Sequence, residues 1–187
     1  MQMSKGRLFV FSGASGVGKS TVLFHVMDKR HDLQFSVSAT TRAPRPGEKD
    51  GVNYYFVSKD EFRQMISDDA FVEYDAHMGN FYGTPRKQLE EKLEKGDVIL
   101  DIEPVGAFAV KKARPDAILV FIAPPSLEEL ERRLRSRGDT GEKQIVMRLE
   151  RASWEMEQSK RYDYVVINEQ VETCAEEIIK IIANVAE

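Results

Sequence analysis

The stretch GASGVGKS at residues 13–20 constrains the fold of this chain more than any other feature. It fits the pattern G-x-x-x-x-G-K-[ST], in which glycines let backbone N–H groups turn inward around a phosphate and the lysine adds a point charge. The context agrees, because residues 7–12 form an apolar run typical of a strand and apolar residues recur along one helical face after Ser20. Strand, glycine-rich loop and helix predict an α/β protein that binds a nucleoside triphosphate.

Two other glycine motifs do not fit this stretch. The dinucleotide fingerprint needs a glycine-like residue where Thr21 stands, and the nucleophile elbow G-x-S-x-G needs a glycine at Val17. We expect Lys19 to reach the β- and γ-phosphate oxygens as a catalytic residue, and the Ser20 hydroxyl to ligate Mg²⁺. The residues predicted to hold the triphosphate are Gly13, Ala14, Ser15, Gly16, Val17, Gly18, Lys19, Ser20 and Thr21.

Length and composition narrow the class of protein. A chain of 187 residues, 42% hydrophobic and 31% charged, predicts one well-buried globular domain. The net charge of -4 gives no reason to expect a nucleic-acid partner. Cys174 is the only cysteine, which excludes an intramolecular disulfide and a cysteine-type zinc site. With no apolar signal core and no bilayer-length apolar run, we predict a cytoplasmic protein without a membrane or an obligatory protein partner.

The rest of the chain alternates short apolar runs with amphipathic stretches. Continuous apolar runs at 98–102 and 117–123 predict strands buried on both faces of a parallel sheet, 164–167 predicts a last buried strand, and 71–77 with 80–83 predicts a hairpin. Further strands are predicted at 35–38 and 53–57, and helices at 58–68, 105–113, 126–137, 142–161 and 171–185. Another helix is predicted between Thr84 as N-cap and Gly96 just past its end. The fold class is therefore α/β, a parallel core sheet with flanking helices and a small mixed or antiparallel lobe.

A second stretch, SATTRAPRPGE at residues 38–48, suggests another anion site. Arg42 and Arg45 stand on a proline-stiffened loop with Tyr54 shortly behind, and two guanidinium groups with a phenol suit one dianionic phosphate. Taken alone, these residues fit a solvated surface loop equally well.

Several motifs together resemble the guanylate kinase family over essentially the whole chain: GASGVGKST, S-x-T-T-R-x-P-R-x-G-E, D-G-x-x-Y-x-F-V, F-V-E-Y and G-N-F-Y-G-T. The resemblance implies Mg²⁺-dependent transfer of the γ-phosphoryl group of ATP to GMP, and to dGMP, in purine nucleotide metabolism. It also implies a P-loop kinase fold with a core at 1–38, 84–126 and 162–187, a GMP-binding lobe at 39–83 and a helical lid at 127–161.

By that resemblance the GMP phosphate is held by Arg42, Arg45, Tyr54 and Tyr82, with Glu48 as an orienting carboxylate, while the guanine base faces Ser38, Glu73 and Thr84. A carboxylate suits this base, because guanine presents two N–H donors at N1 and N2 and an ionised Glu73 only accepts. Adenine would leave buried groups unpaired. Without the family pattern, Glu73 is better interpreted as an outward-facing strand residue.

Asp101 and Glu103 are further residues assigned to the GMP site. Asp101 ends an apolar run, the position at which P-loop enzymes meet Mg²⁺ through a water molecule. The local sequence DIEPVG departs from the family pattern D-I-D-x-Q-G, with Glu103 for the second aspartate and Val105 for the glutamine.

The resemblance also assigns Arg133, Arg137 and Arg148 as catalytic lid arginines and places Asn168 near the adenine of ATP. From spacing alone, most arginines of residues 132–137 are expected in i, i+4 ion pairs, Glu128–Arg132, Glu129–Arg133 and Glu131–Arg135.

Two alternatives stay open at this point. One is a kinase for another nucleoside monophosphate or a sugar phosphate, which Ser38, Glu73 and Thr84 disfavour. The other is a non-catalytic, guanylate-kinase-like peptide-binding module, which the intact Lys19 and Ser20 disfavour.

Overall fold

The computed structural model describes residues 6–77, 79–136 and 141–185. The strands are β1 Leu8–Gly13, β2 Gln34–Ser36, β3 Ala39–Thr40, β4 Tyr55–Phe56, β5 Phe71–His77, β6 Asn80–Pro85, β7 Val98–Asp101, β8 Ile118–Ala123 and β9 Tyr164–Ile167. The helices are α1 Lys19–Lys29, α2 Lys59–Ser67, α3 Arg86–Leu93, α4 Pro104–Ala113, α5 Leu127–Ser136, α6 Glu142–Gln158 and α7 Val171–Asn184, with a 3₁₀ helix at Ser159–Arg161.

Five strands form a parallel sheet in the order β2-β7-β1-β8-β9, and four form a mixed sheet in the order β4-β3-β6-β5. The predicted α/β fold class is confirmed. The chain divides into two compact units. Unit 1 is the described part of residues 1–8 and 32–117, and unit 2 is the described part of residues 9–31 and 118–187. None of the helices in the described ranges combines the length and apolar character needed to cross a bilayer.

The core of unit 2 is built on β1 and β8. Both strands are buried almost throughout, as their continuous apolar runs predict, and they pair in parallel from Phe9 opposite Ile118 onward. The prediction that β9 is a buried strand is wrong for three of its four residues. Tyr164, Val165 and Ile167 are exposed, because β9 ends the strand order and is covered only where Val166 points inward.

Unit 1 carries the mixed sheet and the helix α2 that packs on it. The predicted capping box of α2 is present, since the Ser58 hydroxyl accepts from the Glu61 N–H and the Glu61 carboxylate accepts from the Ser58 N–H. Phe62 is fully buried and stacks on Phe71 and Phe81, with ring centroids 4.4 and 5.4 Å away. This aromatic cluster holds the β5–β6 hairpin in place.

The start of α3 and the end of β2 are among the boundaries that differ from the sequence prediction. Thr84 is not the N-cap of α3: it lies in β6, and the N-cap is Pro85 with extended φ and ψ of -64° and 121°. The reason is cross-strand pairing, because Thr84 sits opposite Glu73 and its hydroxyl donates to that side chain. The strand predicted at 35–38 ends at Ser36, and residues 37 and 38 connect β2 to β3, which belongs to a different sheet.

Candidate active site

The phosphate loop, residues 13–20, runs from the last residue of β1 into the first turn of α1. Gly16 and Gly18 have φ of 90° and 91°, in the left-handed region that glycine adopts with little strain. Gly18 is the N-cap of α1, without a side-chain cap, and its carbonyl accepts from the N–H groups of Thr21 and Val22. The loop and the start of α1 thus present backbone amides and the positive end of a helix dipole, an arrangement that suits an anion.

The apolar residues of the loop are buried, and groups of β8 and α5 lie close to its glycines. Ala14 and Val17 are buried, and the Val17 N–H donates to the Ala14 carbonyl at 2.9 Å. A Cβ at Gly13 would come within 2.7 Å of the Ile122 carbonyl oxygen, and one at Gly16 within 2.7 Å of a Leu134 methyl on α5. Glycine is therefore required at position 13 by close packing and at position 16 by backbone conformation as well.

Glu155 on α6 also contacts the loop, and the sequence reasoning missed it. Its carboxylate is fully buried; Oε2 accepts from the Ser15 N–H at 2.7 Å and Oε1 from Arg151 Nε at 2.7 Å. One signal was present in the sequence. Glu155 falls at helical spacing on the same face as Ile145 and Ala152, so a charged residue stands on the buried face of the helix.

Asn168, just after β9, is hydrogen-bonded to the phosphate loop. Its Nδ2 donates to the Val17 carbonyl at 2.8 Å and its backbone N–H to the Ala123 carbonyl at 2.7 Å. Its Oδ1 is buried and has no hydrogen-bond partner within the described residues. A cavity of about 730 Å³ opens here within unit 2, lined by residues that include Gly16, Val17, Gly18, Thr21, Glu129, Arg133, Ser136, Asn168 and Gln170.

The arginines of α5 mostly form ion pairs and hydrogen bonds within unit 2. Arg133 donates to the Glu129 carboxylate and to the carbonyls of Asn168 and Glu169, at 2.7, 2.8 and 3.1 Å. Arg132 pairs with Glu129, three residues away, rather than with the predicted Glu128. Arg132 and then Arg133 lower the pKa of Glu129 to about 2.

Two other arginines of the predicted lid, residues 127–161, are Arg135 on α5 and Arg148 on α6. The predicted Glu131–Arg135 pair is present, and Arg135 also pairs with Glu142 at the start of α6. Arg148 lies on α6 and is half-buried. Arg137 lies outside the described residues.

In unit 1, the arginine loop of residues 38–48 is organised around one ion pair. The Arg42 guanidinium donates from both terminal nitrogens to the Glu48 carboxylate, each at 2.9 Å, and the Arg45 N–H donates to the same carboxylate at 2.7 Å. Arg42 is therefore the main cause of a Glu48 pKa of about 2, and Glu48 raises the pKa of Arg42. The geometry is bidentate, which fixes the plane of the guanidinium.

Two tyrosines stand beside this pair. The Arg42 guanidinium carbon lies 5.4 Å from the centroid of the Tyr54 ring, and the Tyr54 and Tyr82 rings meet edge to face at 6.0 Å. Burial raises the pKa of Tyr54. Arg45 itself is exposed. The predicted arginines and tyrosines are thus brought together around Arg42, with Arg45 at the solvent side.

Glu73 and Thr84 form a buried polar pair across β5 and β6. The Thr84 hydroxyl donates to Glu73 Oε1 at 2.6 Å, and burial raises the pKa of Glu73 to about 6. Ser38, just before β3, is also buried. Gly106 in α4 is a further residue that the sequence reasoning missed: a Cβ there would lie 2.7 Å from Glu73 Oε2. A side chain at position 106 would therefore require the Glu73 carboxylate to shift.

Asp101 and Glu103 lie on either side of the turn into α4. Asp101 is the last residue of β7 and is half-buried; Glu103 is exposed and is the N-cap of α4, without a side-chain cap bond. Pro104 follows at the first helical position. Asp101 thus lies at the end of a strand and Glu103 at the start of a helix, and Glu103 is the more exposed of the two.

The parallel sheet, the glycine loop and the Lys19–Ser20 pair at the start of α1 define the class of P-loop nucleotide-binding proteins. Comparison with known proteins is more specific. The family model for guanylate kinase matches residues 5–185. A guanylate kinase of Thermus thermophilus is 48% identical over 97% of this chain and 82% of its own length.

Two further comparisons agree. A guanylate kinase of a Synechococcus species is 48% identical over 94% of this chain and 81% of its own. The crystal structure of guanylate kinase from Anaplasma phagocytophilum superposes with a TM-score of 0.78 at 36% identity, covering 98% of this chain and 88% of that one. The chain belongs to the guanylate kinase family.

Proposed function

We propose that this chain transfers the γ-phosphoryl group of ATP to GMP, and to dGMP, yielding ADP and the nucleoside diphosphate, with ATP held by unit 2 and the nucleoside monophosphate by unit 1. The kinase activity follows from family membership. The observation that carries the choice of guanine is the buried Glu73–Thr84 pair, because it offers a base an acceptor-only carboxylate in a desolvated position.

On the ATP side, the backbone amides of the phosphate loop and the start of α1 cradle the phosphates, and Lys19 carries the charge that meets the γ-phosphoryl group. The buried Asn168 Oδ1 is an acceptor in need of a donor, and the exocyclic amine of adenine is one. The adjoining cavity of about 730 Å³ is large enough for a purine. These features support binding of the adenine by Asn168.

Mg²⁺ fits the donor set. The Ser20 hydroxyl and the Asp101 carboxylate are hard oxygen donors, the type that Mg²⁺ takes, and it characteristically keeps several waters and binds chiefly through substrate phosphates. We assign Ser20 as a direct ligand and Asp101 as a ligand through water. When bound, the metal spreads the charge of the transferring phosphoryl group.

On the GMP side, Arg42, Arg45, Tyr54 and Tyr82 hold the phosphate. Glu48 fixes the guanidinium of Arg42 in one plane, so that less conformational entropy is lost when the phosphate binds. We assign Ser38, Glu73 and Thr84 to the guanine base, and Asp101 and Glu103 to the same GMP site. Gly106 leaves the space that the Glu73 carboxylate occupies.

The transfer itself needs positioning rather than a general base, because the GMP phosphate is already an ionised nucleophile at neutral pH. Arg133, Arg137 and Arg148 are assigned to the stabilisation of charge in the transition state. We also assign residues 39–83 as the lobe that binds GMP and residues 127–161 as the lid that closes over ATP and excludes water.

A coupled assay of ADP release tests this function, with ATP and either GMP, AMP, UMP or dTMP as the second substrate. We expect turnover with GMP to exceed that with any other nucleotide by orders of magnitude. Preferred turnover of AMP would contradict the guanine assignment. Absence of turnover with every nucleotide would contradict the enzymatic function and favour a binding module.

A further inference from the structure

Glu155 is a buried charge that none of the roles assigned above uses. It lies on α6 with no exposed surface, and both carboxylate oxygens are engaged: one by the backbone N–H of Ser15, inside the phosphate loop, and one by Arg151. The two distances are 2.7 Å, within the range of charge-assisted hydrogen bonds.

Burial of a charged carboxylate costs free energy of folding unless the group is fully paired. The position of Glu155 beside the phosphate loop adds a second, electrostatic cost. A buried carboxylate loses its hydration, and here it places a negative charge next to a loop that suits a polyphosphate. Arg151 offsets both costs, because its guanidinium pairs with Oε1 at the partly exposed end of the interaction. An alanine or leucine at 155 would fill a helix face of this kind more simply.

The hydrogen bond from the Ser15 N–H indicates what a carboxylate contributes at this position that an apolar side chain could not. The Ser15 N–H donates to Glu155, so the loop between Gly13 and Gly16 is fixed to α6. Gly16 and Gly18 have left-handed φ values, a backbone conformation with which such a loop can turn amides toward an anion. A loop with one amide held by a fixed partner has fewer alternative conformations to lose when an anion binds.

The same helix carries Arg148. Residues 145, 148, 152 and 155 recur at three- and four-residue spacing, so Arg148 shares the stripe of α6 that contains Glu155, two turns earlier. A bond that fixes α6 to the phosphate loop also fixes the helix from which Arg148 extends.

We propose that Glu155 is a positioning residue that holds the phosphate loop in its anion-binding shape and sets helix α6, with Arg148, against it, while Arg151 neutralises its charge. The inference rests on the proposed function, since the loop concerned is the one assigned to ATP. Loss of Glu155 should then weaken ATP binding and slow the transfer while leaving GMP binding unchanged.

The test compares Glu155→Ala, Glu155→Gln and the control Glu157→Gln, an exposed glutamate on the same helix. Calorimetry measures the Kd of a non-hydrolysable ATP analogue, kinetics measures KM for each substrate and kcat, and thermal melting reports folding. For Glu155→Ala we expect Kd and KM for the ATP ligand to rise by about tenfold or more. KM for GMP should stay within about twofold of the wild-type value, since the GMP site shares none of these contacts.

Glu155→Gln separates the hydrogen bond from the charge. Its amide oxygen can still accept from Ser15, so it should recover part of the affinity that Glu155→Ala loses. If Glu155→Ala does not fold, Arg151→Met serves instead. Met removes the positive charge that offsets the carboxylate beside the phosphate site, and we expect the ATP analogue to bind about tenfold more weakly.

The outcomes are distinguishable. A wild-type protein that neither binds the analogue nor phosphorylates GMP would overturn the proposed function, and this inference with it. If the wild-type protein is active, but folded Glu155→Ala or Arg151→Met binds the analogue with unchanged affinity, the proposed function stands. The positioning role of Glu155 is then overturned. Equal increases of KM for ATP and GMP would also overturn it, because they would show that the effect is not confined to the ATP site.

Discussion

The phosphate loop of unit 2 and the arginine loop of unit 1 both suit a phosphate group, yet they are built from different parts of the chain. The first uses backbone amides, with Gly16 and Gly18 in the left-handed region and its apolar residues buried. The second uses side chains, with the Arg42 guanidinium held by two bonds to Glu48 at a partly exposed position. For binding of the phosphate, the first site depends mainly on the shape of the backbone and the second on charged side chains, while Lys19 adds the charge that catalysis needs at the first.

This difference decides what breaks each site. A methyl group added to a glycine of the phosphate loop changes no charge but alters the backbone that makes the cradle. The arginine loop offers side chains instead, so it loses its anion-binding group when a guanidinium or its orienting carboxylate is removed. The predictions below use this contrast, in order of decreasing effect.

The largest effect is expected for Lys19→Ala. Lys19 is the one side-chain cation in the sequence of the phosphate loop, so its loss removes charge stabilisation of the transferring phosphoryl group. We expect kcat to fall on the order of 10³-fold, in steady-state assays with saturating ATP and GMP. A kcat within a few-fold of wild type would remove Lys19 from the catalytic machinery.

Glu73→Gln should come next, and it tests base recognition rather than phosphate binding. The amide has only one acceptor atom and adds donors that face the donors of guanine, so kcat/KM for GMP should fall about 10²-fold. Glu91→Gln, an exposed change on α3, should have no effect. A variant that keeps full selectivity for GMP over AMP would rule out Glu73 as the guanine reader.

Arg42→Ala should mainly raise KM for GMP, by roughly tenfold to a hundredfold, because a charge-assisted contact to the phosphate is lost together with the partner that Glu48 holds in place. KM for ATP should change little. Arg63→Ala is the matched control, as Arg63 forms an exposed pair on α2. An unchanged KM for GMP would take Arg42 out of the phosphate site.

The smallest effect concerns the substrate-free protein and pH. Burial raises the pKa of Glu73 to about 6, above its ordinary 4.5, so the folded state binds this proton more tightly than the unfolded state does. The stabilisation is therefore fully present below pH 4.5 and is lost as the pH rises through 6. It amounts to roughly 2 kcal/mol of the free energy of unfolding.

Denaturant unfolding at pH 5 and pH 7, with wild type and Glu73→Gln side by side, measures this contribution. The wild type should lose more stability between the two values than the variant does. The carboxylate of Glu48, with a pKa of about 2, should contribute no change in this window. Identical pH dependence in both proteins would show that Glu73 titrates normally.

The contrast also explains how much the sequence could predict. The phosphate loop, β1, α1 and the capping box of α2 follow local rules of glycine spacing, apolar runs and side-chain caps, so short windows suffice. Glu155 and Gly106 act through residues 140 and 33 positions away, Ser15 and Glu73, and no local pattern indicates those contacts.

The misplaced N-cap has the same origin. Thr84 followed by Pro85 satisfies the local rule for a helix start, yet pairing of Thr84 with Glu73 across the hairpin extends β6 through that position. Likewise the apolar residues of β9 fit a buried strand, and only the strand order reveals that it lies at the edge of the sheet. Long-range pairing overrode local preference in both cases.

The most direct test of the two-site account is calorimetric titration of GMP and of a non-hydrolysable ATP analogue into Gly18→Ala and Arg42→Ala. Gly18 has φ of 91°, so an alanine strains the cradle without changing charge. The account predicts that Gly18→Ala weakens the ATP analogue about tenfold and leaves GMP within about twofold, and that Arg42→Ala does the reverse. Equal weakening of both ligands by either variant would contradict it.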